Sequence, residues 1–348
     1  MSNRERVTAY THDPLFDAHH LPGHPENRAR LARIMAELAR AGLLNRMTLI
    51  PPRPAGFDRL ARVHDAAYVR ELAEFARGGG GHLDADTYVG ARSFAAAELA
   101  AGGAVELARA VVAGRATNGI ALVRPPGHHA VRQGGMGFCL LNNVAVAAQA
   151  ILDETSVKRI LIVDWDVHHG NGTQDIFYGA AEVLFFSTHQ YPYYPGTGSV
   201  QEVGTGAGRG YTVNVPLPAG VGDAGFGHAY AAILTPLAER FRPELILISA
   251  GFDAHWDDPL AGLRLSLAGY WSLAQTILGL ADRLCAGRVV AVLEGGYNLT
   301  VLASGVADLC RALLGDPTPG PDPLGASPQP ERSAADVARA VCQTHGLG

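Results

Sequence analysis

Between Arg159 and Gly172 the sequence reads RILIVDWDVHHGNG, an aliphatic run that passes directly into two aspartates and two histidines. In extended backbone, residues two apart share a face. Asp164, Asp166 and His168 therefore project one way, and Trp165, Val167 and His169 the other. Asp166 and His168 are placed to grip one ion together. A third carboxylate, Asp253, ends the run LILISAGFD. Two carboxylates and one neutral imidazole suit Zn2+ with a fourth position left open, which is the catalytic arrangement; Fe2+ or Mn2+ also accept these ligands. A carboxylate carried inward on an apolar strand is costly unless a cation or another partner meets it. That cost is the physical reason to expect a metal here.

A cation with an open position activates water and polarises a carbonyl, but it needs a proton shuttle. His128 and His129 follow the rigid Pro125-Pro126-Gly127 turn. Adjacent imidazoles can divide the labour, one as general base and one as electrostatic support. Tyr297 follows Gly295-Gly296, whose flexibility lets a phenol turn inward to donate to an oxyanion. Taken singly these signals are weak. A lone Asp-x-His is more often a cap, a His-His pair is more often filler, and a Gly-Gly-Tyr is usually a turn. Other motifs have plainer readings. His19, His20 and His24 read as a loop lining the mouth of a site, and Asp257 and Asp258 as solvated or capping. GTGAGRG at Gly204–Gly210 precedes a strand, whereas a phosphate loop follows one, so it reads as a turn.

The elements that must position these residues alternate. Val7–Tyr10 reads as a short strand, and RARLARIMAELARAGLL as a helix with Leu31, Ile34, Met35 and Leu38 on one face. Arg53–Phe75 reads as helical in pieces, RGGGGHLDADTYVG as a long flexible loop, and Ser93–Ala113 as a closely packed Ala-rich helix. Then GIALVRP, RILIVDWD, VLFFSTH, YTVNVPLP, LILISAGFD and RVVAVLEGGY read as strands, most of them separated by helices. Strands that are apolar throughout and alternate with helices imply a parallel sheet covered on both faces. Ligands then bind beyond the carboxyl ends of the strands. RPPGHHA, DWDVHHGNG, STHQYPYYPGTG, GFDAHWDDP and EGGYN all fall on that edge, and this conjunction carries the metal reading.

The totals exclude several classes. The chain has 348 residues, 48% hydrophobic and 18% charged, with a net charge of -5. This is enough for a large core. Together with a pI near 6.3, it argues against direct nucleic-acid binding by charge. The four cysteines form no C-x-x-C pair, no secretory leader is visible at the N-terminus, and no apolar run approaches the ~18 residues of a membrane span. A reducing, cytoplasmic setting without membrane attachment is expected. GDPTPGPDPLGASPQPER is Pro-rich.

RPPGHHA, GFCLLNNVAVAA, LIVDWDVHHGNGTQDIF, ISAGFDAHWDDPLAG and LEGGYNL resemble the zinc-dependent histone deacetylase family, most of all its class II branch and that branch's bacterial members. The resemblance runs from about Tyr10 to Gly315. It implies a single-domain arginase-like three-layer α/β fold, with a central, mostly parallel sheet of about eight strands and helices on both faces. The expected organisation is a catalytic domain over 1–315, a Pro-rich linker over 316–332 and a C-terminal tail over 333–348, with a short helix in Ser333–Thr344. The resemblance implies Zn2+ on Asp166, His168 and Asp253. It makes His129 the general base oriented by Asn171, where class I members carry Asp. His128 becomes its electrostatic or acid partner, oriented by Asp164, and Tyr297 the oxyanion donor where some class II members carry His. Gly137, Phe138 and Tyr194 would wall an acyl-lysine tunnel, with Tyr194 standing where the family often has Phe. Leu260 stands where polyamine-selective relatives carry Glu. A structural K+ would lie against Ser187, Thr188 and the backbone of Asp164, Asp166 and His168.

The function so implied is hydrolysis of N-acetyl-lysine, or of a longer acyl-lysine, in a protein or peptide. The alternative is an acetylated polyamine or other small amine as substrate. A non-catalytic acyl-lysine binding module is disfavoured by the intact His129 and Tyr297. A two-Mn2+ ureohydrolase is disfavoured by too few bridging carboxylates. A homo-oligomer is compatible with the sequence.

Overall fold

A computed structural model describes residues 6–347. Its strands are β1 (Thr8–Thr11), β2 (Thr48–Leu49), β3 (Gly80–His82), β4 (Tyr88–Gly90), β5 (Asn118–Ala121), β6 (Ile160–Asp164), β7 (Val183–Gln190), β8 (Thr212–Leu217), β9 (Leu245–Ala250) and β10 (Val289–Leu293). Its α-helices are α1 (Ala29–Arg40), α2 (Phe57–Val63), α3 (Ala66–Arg77), α4 (Ser93–Val112), α5 (Asn143–Glu154), α6 (Asn171–Phe177), α7 (Asp223–Ala229), α8 (Thr235–Phe241), α9 (Leu267–Leu284), α10 (Leu299–Leu314) and α11 (Ala335–Thr344). Eight strands form one sheet in the order β2-β1-β5-β10-β9-β6-β7-β8. Every pairing in it is parallel. This is the parallel sheet that the strand pattern implied, in the single α/β domain that the resemblance implied.

Every residue of β5 through β10 is buried. That is why these strands read as unbroken apolar runs rather than alternating ones. On one face α4 and α5 pack against each other and over β5, β9 and β10; on the other, α10 packs on β5 between α1 and α9. Local chemistry sets the helix ends. The Ser266 side chain caps α9 through Gly269 N, and Asn298 Oδ1 caps α10 through Thr300 N and Val301 N. Gly315, at φ 83°, ends α10 in the left-handed conformation.

The segment read as a loop, RGGGGHLDADTYVG, is instead an antiparallel hairpin in which β3 pairs with β4. Asp84 Oδ1 accepts from Asp86 N (3.1 Å) and Thr87 N (2.6 Å), and Leu83 N donates to Thr87 O at 2.8 Å. An aspartate that folds its own backbone into a turn supplied the hairpin that glycine content obscured. The two-residue strand β2 also went unread. The helical stretch that begins at Asp223 as α7 passes through a π-helical turn, Tyr230–Leu234, before α8.

Beyond α10 the chain returns across the molecule. Gly320 N donates to Asp308 Oδ1 (2.7 Å), Trp256 Nε1 to Gly325 O (2.9 Å), and Arg332 N to Gly220 O (2.7 Å). Arg264 binds Pro330 O and Gln329, and Glu331 accepts from Ala224 N at 3.0 Å. α11 then buries Ala338 and Val341 beside β8 and α7. No helix of the described residues is long and apolar enough to cross a membrane.

α4 shows how close the packing is. A Cβ on Gly102 would stand 1.8 Å from Arg53 O, whereas on Gly279 of α9 it would meet only the far end of Arg283, at 3.6 Å. Glycine inside a helix ordinarily costs about 1 kcal/mol relative to alanine. Gly279→Ala should therefore stabilise by up to about 1 kcal/mol. Gly102→Ala should instead destabilise by about 1 to 3 kcal/mol through overpacking. Chemical denaturation of both variants checks the opposite signs.

Candidate active site

Five neighbouring strands, β5-β10-β9-β6-β7, release their carboxyl-end loops to one place. β10 and β9 are inserted between β5 and β6, so the loops after β5 and β6 face each other across them. Such a break in strand order is where open α/β sheets bind ligands. The β5 loop brings His128 and His129, and the β6 loop Asp166 and His168. The β9 loop brings Asp253, the β10 loop Tyr297, and the β7 loop Tyr193 and Tyr194.

Asp166, His168 and Asp253 each offer a ligand atom within 4.8 Å of the others. His168 Nδ1 lies 3.1 Å from Asp166 Oδ1 and 3.4 Å from Asp253 Oδ2. Backbone amides hold the carboxylates in place. Asp166 Oδ2 accepts from Gly295 N (2.9 Å), and Asp253 Oδ1 from Val167 N (3.0 Å). Asp253 Oδ2 is buried with no hydrogen-bond partner among the described residues. Burial alone would lower His168, but Asp166 and Asp253 outweigh it and raise the imidazole to about 10. The cluster demands positive charge. A Cβ on Gly295 would stand 2.1 Å from Asp253 Oδ2, and one on Gly251 would stand 2.1 Å from Asp166 Oδ2. Donor set, orphaned oxygen and glycine-lined floor together fit a divalent cation.

His128 Nδ1 lies 3.0 Å from Asp164 Oδ2, and His129 Nδ1 lies 2.7 Å from Asn171 Oδ1. Both partners accept, because Asn171 Nδ2 is turned to His129 O and Met136 Sδ. Each imidazole therefore carries its hydrogen on Nδ1. The environments then separate the pair. Burial disfavours the His128 cation, but Asp166 and Asp164 overcome it and carry the group up to about 10. Burial, assisted by the charges of His128 and His168, holds His129 well below the ordinary histidine range. One ring is poised as a cation and its neighbour, 4.0 Å away between centroids, as a neutral base.

These groups floor a cavity of about 220 Å3 lined by Asp86, His128, His129, Gly137, Phe138, His168, Tyr193, Tyr194, Leu260 and Tyr297 among others. Phe138 adopts φ 70° and Gly137 φ 55°; a side chain on Gly137 would strike His129 at 2.5 Å. The Phe138 and Tyr297 rings meet edge to face at 5.8 Å, and Tyr194 meets His129 likewise at 5.2 Å. Burial holds the Tyr297 hydroxyl well above its ordinary pKa, so it remains a donor.

Each residue singled out for catalysis or for the tunnel lies at this cavity or supports one that does. Thr188 Oγ1 lies 3.5 Å from Asp164 O, while the Ser187 hydroxyl is engaged with His189 Nδ1 at 2.9 Å. The three loop histidines do not converge. His24 bonds Asp86 O at the mouth. His19 is buried against Ser93 and Glu26. Asp258 is buried rather than solvated. It caps the β10 loop, and burial together with Asp253 pushes it up to about 7.

Several supports went unread. Glu294 Oε2 accepts from Gly127 N (2.7 Å) and His128 N (3.2 Å), fixing the histidine pair from beneath. Its signal was visible as a lone acid inside VVAVLEGG. Arg30, 266 residues upstream of Gly296, donates to Gly296 O at 2.8 Å and stands over the Tyr297 ring. Tyr193 stacks near His168 and donates to Leu260 O at 2.7 Å.

Comparison with known proteins gives a consistent picture. The family described as "Histone deacetylase domain" matches residues 24–313. A "Probable deacetylase" of Archaeoglobus fulgidus is 45% identical over 83% of this chain and 80% of its own length. A "Histone deacetylase-like amidohydrolase" of Pseudomonas aeruginosa is 40% identical over 79% of this chain and 73% of its own. The crystal structure of the HDA15 HD domain superposes with a TM-score of 0.90 at 38% identity, covering 98% of this chain and 94% of that one.

The glycine floor can be tested directly. Gly295→Ala places a methyl group where Asp253 Oδ2 and Asp166 Oδ2 stand, 2.1 and 2.6 Å from the new Cβ. The variant should lose a tenfold or larger factor in divalent-cation affinity, on the order of 1.4 kcal/mol. Equilibrium dialysis with elemental analysis, beside wild-type circular dichroism, checks it.

Proposed function

The chain belongs to the histone deacetylase family and is a hydrolase acting on amides, and from that premise we propose that it hydrolyses N-acyl-lysine in proteins or peptides to lysine and a carboxylate. The observation that carries this reading is the convergence of Asp166, His168 and Asp253 at a cavity that His168 lines and that Phe138 and Tyr194 wall. Aromatic walls suit the methylenes of a lysine side chain, and the floor suits its acyl carbonyl.

Asp166, His168 and Asp253 are assigned as the ligands of a divalent cation, Zn2+ by donor type. When bound, that cation supplies Lewis acidity toward the acyl carbonyl and the attacking water. The remaining work falls to side chains. Neutral His129, with its hydrogen fixed on Nδ1 by Asn171, receives a proton from water on Nε2. The water oxygen bonds to the acyl carbon, and the carbonyl oxygen becomes an oxyanion that accepts from the Tyr297 hydroxyl. The His128 cation, anchored on Asp164, offsets the negative charge. The C–N bond then breaks as the lysine nitrogen receives the proton, leaving amine and carboxylate. The carbonyl of Asp164 and the side chains of Ser187 and Thr188 are assigned, with the backbone of Asp166 and His168, to a structural K+.

A second reading has its own support. Asp86 lines the cavity, and a carboxylate there would attract the distal ammonium of an acetylated polyamine. Leu260, apolar at the same mouth, favours the peptide. Parallel rates on acetyl-lysine and longer acyl-lysine peptides and on acetylputrescine decide between them; faster turnover of acetylputrescine would overturn the peptide assignment.

Two outcomes test the chemistry. Tyr297→Phe should lose about 100-fold or more in kcat, as removal of an oxyanion donor does, with metal content unchanged. Asn171→Asp adds negative charge beside His129 and raises its pKa. The base is then protonated at higher pH, so the acid limb of kcat/KM should move to higher pH; an unmoved limb removes His129 as the titrating base.

A further inference from the structure

We infer that Asp258 is the positioning residue that sets the Tyr297 hydroxyl against the substrate carbonyl and ties that placement to the tunnel wall at Leu260, an assignment that rests on the deacetylase reading above. Asp258 is 6% exposed and does not line the cavity, so it has no direct route to substrate. Its carboxylate instead joins two loops. Oδ2 accepts from Tyr297 N at 2.7 Å and Asn298 N at 3.1 Å, and Oδ1 accepts from Leu260 N at 3.0 Å.

The β10 loop is held at successive residues by different partners. Gly295 N donates to Asp166, and Gly296 O accepts from Arg30. Tyr297 itself is held through its amide by Asp258. Gly296, at φ 117°, is the joint about which Tyr297 would otherwise swing. Asn298 is bracketed as well: its Nδ2 donates to Asp257 O (3.0 Å) and Oδ2 (2.9 Å) while its Oδ1 caps α10. From Leu260 the path continues outward, because Leu260 O accepts from the Tyr193 hydroxyl. One carboxylate thus links an aromatic residue at the mouth, the apolar wall and the phenol at the floor. A catalytic group misplaced by about 1 Å can lose on the order of 100-fold in rate, and a buried carboxylate accepting three N–H groups is a stiff anchor.

Asparagine tests this because it has the same shape but only one acceptor oxygen. Its NH2 must face either the Tyr297–Asn298 amides or the Leu260 amide, donor against donor. Asp258→Asn should lower kcat about 10- to 100-fold, with KM for an acetyl-lysine peptide changed by less than about threefold. In a Tyr297→Phe background the same substitution should cost less than about threefold, since there is no hydroxyl left to place. Equal fold losses in the two backgrounds, or no loss in Asp258→Asn alone, overturn the assignment while leaving the deacetylase reading intact. Wild-type turnover by Tyr297→Phe alone removes Tyr297 from the mechanism and overturns the assignment, whereas failure of the wild-type protein to turn over any acyl-lysine peptide overturns the deacetylase reading itself. If circular dichroism shows that Asp258→Asn does not fold, Asp258→Ser, which is smaller and keeps a hydroxyl acceptor, is carried through the same comparison.

Discussion

The molecule is organised around buried negative charge. Asp164, Asp166, Asp253 and Glu294 are all fully buried at the carboxyl ends of central strands. Four carboxylates in a core are ruinous without compensation. Asp164 is met by His128, Asp166 and Asp253 face His168, and backbone amides from Val167, His168 and Gly295 donate to the last two acids. One oxygen, Asp253 Oδ2, keeps no hydrogen-bond partner among the described residues. The environment that would make these acids a liability is the one that makes the site attractive to a cation and drives neighbouring histidines to opposite protonation states.

Such a cluster must be assembled from many chain segments without tolerance. Each of the five central strands contributes its exit loop, and all are parallel, so their ends arrive together on one edge. Close approach is secured by omission of side chains. A Cβ on Gly170 would stand 2.2 Å from Asp164 Oδ2, and one on Gly127 would stand 2.4 Å from Asn143 N. These glycines let loop backbone lie directly on buried carboxylates and on neighbouring chain, a placement that no larger residue permits.

The ligand strands were legible because their information is local. Asp166 and His168 lie two apart on one run, Asp253 ends another, and full burial on both faces wrote the sheet as apolar blocks. The caps of α9 and α10 are equally local, since the Ser266 and Asn298 side chains bond amides within the next three residues. What escaped depends on contacts distant in sequence. Nothing near Arg30 indicates that its guanidinium reaches Gly296, and nothing near Asp258 distinguishes a capping acid from a solvated one until Tyr297 and Leu260 are brought beside it. The β3–β4 hairpin escaped because four successive glycines mask a turn closed by a single aspartate.

The segment after α10 has a temporal meaning. It bonds to Trp256, Arg264, Gly220 and Ala224, so residues beyond 320 brace loops that emerge from the ribosome long before them. Chains grow from the N-terminus at roughly 5 to 20 residues per second. The sheet and its ligands can therefore assemble while the β9 loop still lacks its brace, and the stretch from Trp256 to Arg264 is tied down only when residues 320–332 have been made and have docked.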